Sequence, residues 1–391
     1  PVHFELPEDV AAQSIEDIAS VSVTDISLAT ASSDAINQAA KRIASSQQPL
    51  VMIGGGANRP GLSPVLSDAI GALGIPFFNT QMGKGAVDGH SSLFIGTAAL
   101  SSGDLIHRII DKSDLIITVG HDTIEKPPFF MDGNGTTVIH VNLKPADIDT
   151  VYSPQYEVIG EIGDALTRIA EKLKDKSFDN SRILAMRDEM HSRISQGADS
   201  DAFPVIPQRL VSTIRKALPD DGILCLDNGM YKIWFARNFR THIANTLLLD
   251  NALASMGAGL PSAMMAAMLY PSRRVICVCG DGGFMMNVQD LETAVRLGLK
   301  LTIVIVEDGA YGMIRWKQES DGFADFGMTF GNPDFVDLAK SFGAEGKRIG
   351  SADAFQQALA QADQDGGVQI IVVPIDYSEN RTVLGDTPLQ S

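Results

Sequence analysis

The sequence is short of cysteine, of aromatic residues and of positive charge, and each shortage excludes something. Only three cysteines occur in 391 residues, Cys225, Cys277 and Cys279. All three sit in apolar, strand-like runs, with neither a CxxC spacing nor an even framework. This argues against a disulfide scaffold and points to buried thiols in a reducing, cytoplasmic compartment. Aromatics make up 6% and tryptophan occurs twice, so packing is mainly aliphatic, within an apolar content of 45% that is ample for large cores. Lys and Arg number 31 against 48 acids, a formal net charge of −17. That balance argues against nucleic acid or an anionic membrane surface as partner. No uninterrupted apolar run reaches the ~18 residues that a membrane helix needs.

What is present is α/β alternation, in a length that predicts two domains. The most informative stretch is VICVCGDGGFMMNVQDLETAVRLGLKLTIVIVEDGAYGMIRWK, residues 275–317. An apolar run at 275–279 has the pattern of a strand buried on both faces. Gly280, Asp281, Gly282 and Gly283 follow it. Apolar residues Val288, Leu291, Ala294 and Val295 then predict a helix over about 287–297. A second buried strand, 301–306, ends at Glu307, Asp308 and Gly309. In an open parallel sheet ligands sit beyond the carboxyl ends of the strands. Neighbouring strands lie about 5 Å apart, which brings Asp281 and Asp308 within reach of one cation. Hard oxygen ligands suit Mg²⁺ or Ca²⁺ completed by waters and phosphates. Bare glycine N–H groups at a helix start suit an anion. The unit reads as a metal–diphosphate site, with a plain βαβ turn bearing solvated acids as the alternative.

These residues also carry a resemblance. Gly280-Asp281-Gly282 with Asp308 is similar to the thiamin-diphosphate fold signature, whose usual end is Asn-Asn. MGAGLP (256–261), GDGGFMMNVQDLETAVRL (280–297) and PIDYSEN (374–380) resemble the acetolactate synthases. GHDTIEKPPFF (120–130), PADID (145–149) and an Asp at 308 in place of Asn look like their catabolic, flavin-independent branch. The resemblance covers nearly the whole chain. It implies two doubly wound parallel-sheet domains, a central one and one that binds the pyrophosphate of the cofactor. The phrase PVHFELPEDV at the start resembles the close of an N-terminal, pyrimidine-binding domain that the sequence looks to lack.

The expected organisation is the end of that domain and a linker over 1–30, a central domain over 31–180, a connection over 181–205 and a second domain over 206–391. Expected strands are 2–6, 49–53, 75–78, 114–119, 136–141, 157–159, 222–226, 246–250 and 368–374. Expected helices are 33–44, 162–173, 207–218, 232–239, 260–269, 335–342 and 352–364. Gly54-Gly55-Gly56 after the second of these strands invites a dinucleotide, but the spacing is not GxGxxG and a tight βα turn explains it. Related enzymes hold FAD in this domain, so FAD stays as a minor alternative, with a non-catalytic flavin module as a reading of another class. His90, His107, His121 and His140 form no metal-ligand spacing. Residues 323–332 form a glycine-rich stretch, long enough for a lid and equally compatible with a packed loop.

The resemblance implies thiamin diphosphate and Mg²⁺ as cofactors. It makes Asp281 and Asp308, with the backbone oxygen of Ala310, the metal ligands. Gly282, Gly283 and Tyr311 would touch the diphosphate, with Asn228 and Gly229 nearby, and Gly280 and Gly312 would also belong to the cofactor site. Met256 would support the bent cofactor, and the backbone at Ala254 and Met256 would bond its aminopyrimidine. Without the resemblance, Met256 reads as a core residue at a helix start. Met313, Ile314 and Lys317 would face the acceptor substrate. Lys317 departs from the family's Trp and Gln versions and either pairs with a substrate carboxylate or points to solvent. Lys232 is a further candidate for a phosphate contact. The implied reaction decarboxylates pyruvate on the cofactor and transfers the hydroxyethyl group to a second 2-keto acid, giving 2-acetolactate. Another thiamin-diphosphate 2-keto acid decarboxylase or carboligase is the alternative. No catalytic acid or base is assigned in this chain, because the activating glutamate of the family lies in the N-terminal domain. The sequence as it stands is therefore expected to be inactive alone, and the intact protein to be a homodimer or homotetramer.

Overall fold

The computed structural model describes residues 4–16, 27–59, 61–100, 103–125, 136–148 and 152–380. The elements of the first half are α1 (Glu8–Ala11), α2 (Ser33–Ser45), β1 (Pro49–Ile53), α3 (Leu62–Leu73), β2 (Phe77–Thr80), β3 (Phe94–Ala98), α4 (Leu105–Ile110), β4 (Leu115–Val119), β5 (Thr137–Asn142), β6 (Tyr156–Ile159), α5 (Ile162–Lys172) and α6 (Ser181–Ile194). Those of the second half are α7 (Pro207–Ala217), β7 (Ile223–Leu226), α8 (Met230–Asn238), β8 (Leu247–Leu248), α9 (Gly259–Leu269), β9 (Val275–Gly280), α10 (Asp281–Met286), α11 (Asp290–Arg296), β10 (Leu301–Glu307), α12 (Gly312–Ser320), α13 (Phe335–Ser341), β11 (Glu345–Arg348), α14 (Ala352–Asp365) and β12 (Val368–Pro374).

They form two six-stranded sheets, ordered β3-β2-β1-β4-β5-β6 and β11-β12-β10-β9-β7-β8. Every strand pairing in both is parallel. The central strands are apolar throughout because helices cover both faces. In β1, Val51 and Ile53 pack on one layer while Leu50 and Met52 pack on the other. In the second sheet Ile276 and Val278 face one layer, Cys277 and Cys279 the other. Chain order reverses between β7 and β9, and ligand clefts of doubly wound sheets open at such a switch.

The two halves interlock. The Lys84 ammonium, buried, donates to Thr97 Oγ1 at 2.8 Å and to the Ala236 carbonyl of α8 at 3.0 Å. Arg237 of α8 pairs with buried Asp104 at 3.7 Å, and Asn238 donates to Ile194 O at 2.9 Å. Helix α6, within the expected connection, buries Ile183 and Met190 against the first sheet.

Several sequence expectations shift. The expected strand over 2–6 does not form at the described residues 4–6, where Phe4 and Leu6 are exposed; residues 2 and 3 lie outside the described set. The expected linker and the 120–130 and 145–149 phrases also fall partly outside it. The helix expected over 287–297 begins earlier, at Asp281, and divides at Asn287, whose side chain donates to Gly257 O at 2.7 Å. The 75–78 strand moves to Phe77–Thr80, and the 246–250 strand shrinks to two residues at a sheet edge. The other expected elements form within a few residues of their expected ends, α8 beginning two residues early at Met230. Strands β3 and β11 are additional. Gly96 weakens the β signal of the first, and the second is a polar edge strand, EGKR, that exists through pairing with β12.

Candidate active site

The carboxyl ends of β7, β9 and β10 surround one cleft, with an empty volume of about 420 Å³ that includes its open mouth. Asn228, Gly229, Met256, Gly280, Asp281, Gly282, Gly283, Asp308, Ala310, Tyr311, Gly312, Met313 and Ile314 line it. Thus nearly all the site residues expected from sequence come together. Ala254 and Lys317 do not line the cleft. Ala254 adopts a left-handed φ of 50° two residues before Met256, and Lys317 is exposed on the second turn of α12.

The two acids meet because Gly280 and Val306 are register partners on adjacent strands. Asp281, buried, turns its Oδ2 across the end of β10. There it accepts the backbone N–H of Asp308 at 3.2 Å and of Gly309 at 2.7 Å, and Asn332 Nδ2 at 2.8 Å. Its Oδ1 accepts Gly282 N at 2.8 Å. Burial, and then the charge of Asp281, push the Asp308 carboxyl up to about 7. Asp308 keeps an exposed edge, so solvent screens part of this repulsion. The pocket therefore holds two carboxylates with too little positive charge between them. An all-oxygen donor set in that state fits a hard divalent cation.

Glycine is required here by contact. A Cβ at Gly283 would stand 2.1 Å from Asp227 Oδ2, and one at Gly282 would stand 2.9 Å from the Tyr311 ring and 3.0 Å from the Phe330 ring. Asp227, at the exit of β7, is buried, and burial pushes its carboxyl up against the hydrogen bonds that favour its charge. Its Oδ2 accepts Gly257 N at 3.0 Å, while Asn228 Nδ2 donates to Ser255 O at 2.8 Å. Together with Asn287, these groups clamp the segment that presents Met256 to the cleft.

Residues 323–332 are partly tied down. Phe330 N donates to Gly309 O at 3.1 Å and Tyr311 N to Met328 O at 2.9 Å. Phe330 packs on Tyr311, while Phe323 and Phe326 stay exposed. The end near the acids is thus a packed loop. Lys232 does not line the cleft itself; its buried ammonium bonds the cleft residue Asn228 at Oδ1 and the Asp250 carbonyl.

Sequence reasoning overlooked Asn332, Tyr231 and Tyr377. Tyr231 OH accepts Gly280 N at 3.0 Å, and Tyr377 also lines the cleft. Asn332 and Tyr377 fell inside phrases already noted, but only the fold shows that they reach the acids' side of the sheet.

Two family models match the chain. The thiamine pyrophosphate enzyme central domain matches residues 36–169, and the thiamine pyrophosphate enzyme C-terminal TPP binding domain matches residues 227–373. The acetolactate synthase of Bacillus subtilis (strain 168) is 31% identical over 388 residues, spanning 97% of this chain and 68% of the relative. The chain belongs to the acetolactate synthase family. The catabolic acetolactate synthase of Raoultella terrigena is 29% identical, over 98% of this chain and 70% of its own length. The acetolactate synthase isozyme 2 large subunit of Escherichia coli (strain K12) is 29% identical over 88% of this chain and 63% of its own. Two α/β units and a cleft at the second sheet's switch point are the architecture that family membership leads one to expect.

Proposed function

We propose that the protein is an acetolactate synthase, joining two molecules of pyruvate into 2-acetolactate with loss of one CO₂. The observation that carries this reading is the approach of Asp281 and Asp308 over a glycine-floored cleft. The Asp281 and Asp308 carboxylates and the Ala310 carbonyl oxygen would hold Mg²⁺, and the bare backbone at Gly282 and Gly283 would admit the diphosphate of thiamin diphosphate. That cofactor, when bound, supplies the electron sink for decarboxylation and two-carbon transfer. Met256, clamped from three sides, is an adaptable apolar support beneath it. Met313 and Ile314 give the substrate an apolar wall that favours loss of charge as a carboxylate leaves as CO₂. Met265, Met268 and Leu269 of α9 with Met285 and Met286 of α10 are exposed on two contacting helices. That apolar surface supports association into a homodimer or homotetramer, and the buried free thiols support a cytoplasmic setting.

The flavin reading has less support. Glu125 places its carboxylate on Gly55 N at 2.8 Å, where a phosphate would need to sit, and also bonds Thr80. A Cβ at Gly54 or Gly56 would stand within 2.7 Å of the Gly120 carbonyl, so these glycines serve a tight strand-end contact. The test is to assay the full-length protein for 2-acetolactate from pyruvate, with and without thiamin diphosphate and Mg²⁺, and from pyruvate plus an aldehyde. Acetolactate that requires both cofactors is expected. Carboligation only with the aldehyde, or no product, overturns the assignment.

A further inference from the structure

A second constellation lies at the junction of the two sheets, away from the cleft. Asp88 and His90 stand on the turn between β2 and β3, and His242 on the connection between α8 and β8. Asp88 Oδ1 lies 3.2 Å from His90 Nδ1 and 3.1 Å from His242 Nδ1. The two imidazoles stack with centroids 3.5 Å apart and planes within 11°, so for both to present a lone pair to one ion the exposed His90 ring turns out of the stack. One carboxylate oxygen and two ring nitrogens thus lie within 4.8 Å of one another, the spread of ligands around a single ion.

The backbone fixes this arrangement. Gly89 N donates to Thr241 O at 3.0 Å, and a Cβ at Gly89 would stand 2.7 Å from that oxygen. The two chains are therefore pressed together beside the histidines. Asp88 Oδ1 also accepts the His90 backbone N–H at 2.8 Å, which sets the acid's rotamer. The far nitrogen of His242, Nε2, faces Asp220 Oδ1 at 3.8 Å. At that distance the carboxylate acts through its charge, which raises the basicity of the imidazole. His242 is nearly buried, whereas His90 is 61% exposed in its side chain and leaves room for water or a fourth ligand.

We propose that Asp88, His90 and His242 bind one divalent transition-metal ion of the Zn²⁺ class, stapling the first sheet's β2–β3 turn to the second half of the chain. Two imidazoles and a carboxylate favour Zn²⁺, Co²⁺ or Ni²⁺ over Mg²⁺ or Ca²⁺, which take oxygen ligands. The site is separate from the acids of the cleft and does not rest on the function proposed above.

The experiment titrates the chelator-stripped protein with Co²⁺ in saturating Mg²⁺, so that the oxygen site of the cleft is already served. One equivalent should bind with the intense visible d–d bands of four- or five-coordinate Co²⁺, and Zn²⁺ should erase them. His90→Ala and His242→Ala should each abolish the bands. Asp220→Asn should weaken binding about ten- to hundredfold while keeping the bands. Because His90 is exposed, His90→Ala leaves the core packing intact; Zn²⁺ should raise the melting temperature of the parent protein and leave that variant unmoved. Absence of bands at one equivalent, or bands that survive both histidine substitutions, overturns the proposal.

Discussion

Replacing Lys84 by Met should change stability with opposite sign on the two sides of about pH 9. Burial, aided by the positive charge of Arg240, pulls the Lys84 ammonium from 10.5 down to about 7. An unfolded chain keeps the ordinary value, so between pH 7 and 10.5 the unfolded state holds a proton that the folded state has released. The unfolded state then binds more protons, and stability must rise with pH across that window. Below pH 7 the gap of about 3.5 pH units corresponds to a cost of roughly 5 kcal/mol, constant there and relieved at ~1.4 kcal/mol per pH unit above it. Methionine fills similar volume without charge and escapes that cost. It also gives up the bonds to Thr97 Oγ1 and to the Ala236 carbonyl. That carbonyl lies in the last turn of α8, and leaving it unmet costs ~1–3 kcal/mol. The net expectation is a variant more stable by about 2–4 kcal/mol at pH 6 and less stable than the parent near pH 10.

The assay is urea unfolding at pH 6, 7, 8, 9 and 10, followed by tryptophan fluorescence. Trp234 lies on α8, the helix that Lys84 touches, and is fully buried. Other titrating groups are common to both proteins and cancel in the difference. Parallel stability curves from pH 7 to 9 would refute the reasoning, for they would mean that Lys84 keeps its proton in the folded protein.

Three further perturbations are expected to act locally. Gly283→Ala drives a methyl into Asp227 Oδ2 and so displaces the clamp on Met256; turnover should fall about 100-fold, as for a reacting group misplaced by about 1 Å, with the melting temperature read alongside to separate misfolding from misplacement. Asn332→Ala removes a donor from Asp281 Oδ2; a lost bond to a charged group is worth ~1.5–3 kcal/mol, so the Mg²⁺ concentration for half-maximal activity should shift by about ten- to hundredfold, and an unchanged Mg²⁺ curve would show that the bond does not orient the acid. Phe355→Ala hollows the layer under α14, where the ring is fully buried; unfolding should cost ~3–5 kcal/mol less, read from urea midpoints, while the cleft residues keep their places.

How far the sequence carried depended on whether a feature is local. The stretch from β9 to β10 is a single βαβ unit, so the facing of Asp281 and Asp308 follows from strand spacing and parallel pairing, and the register of Gly280 with Val306 bears it out. The boundary of α10 was less legible. Its end is marked by Asn287 reaching back to Gly257, a contact between segments far apart in the chain. Strand β11 has no apolar pattern of its own and is imposed by its neighbour. The histidines show the same limit. Scanned for ligand spacing, His90 has Asp88 beside it but no second histidine or cysteine near it along the chain. His242 reaches it only because the turn carrying Gly89 docks on Thr241 when the two halves close. Constellations made by one supersecondary unit can be read from residue order, whereas those made by docking two units need the coordinates. The Asp88–His90–His242 site belongs to the second kind, so its metal affinity should disappear whenever the two halves are held apart, even with all three side chains intact.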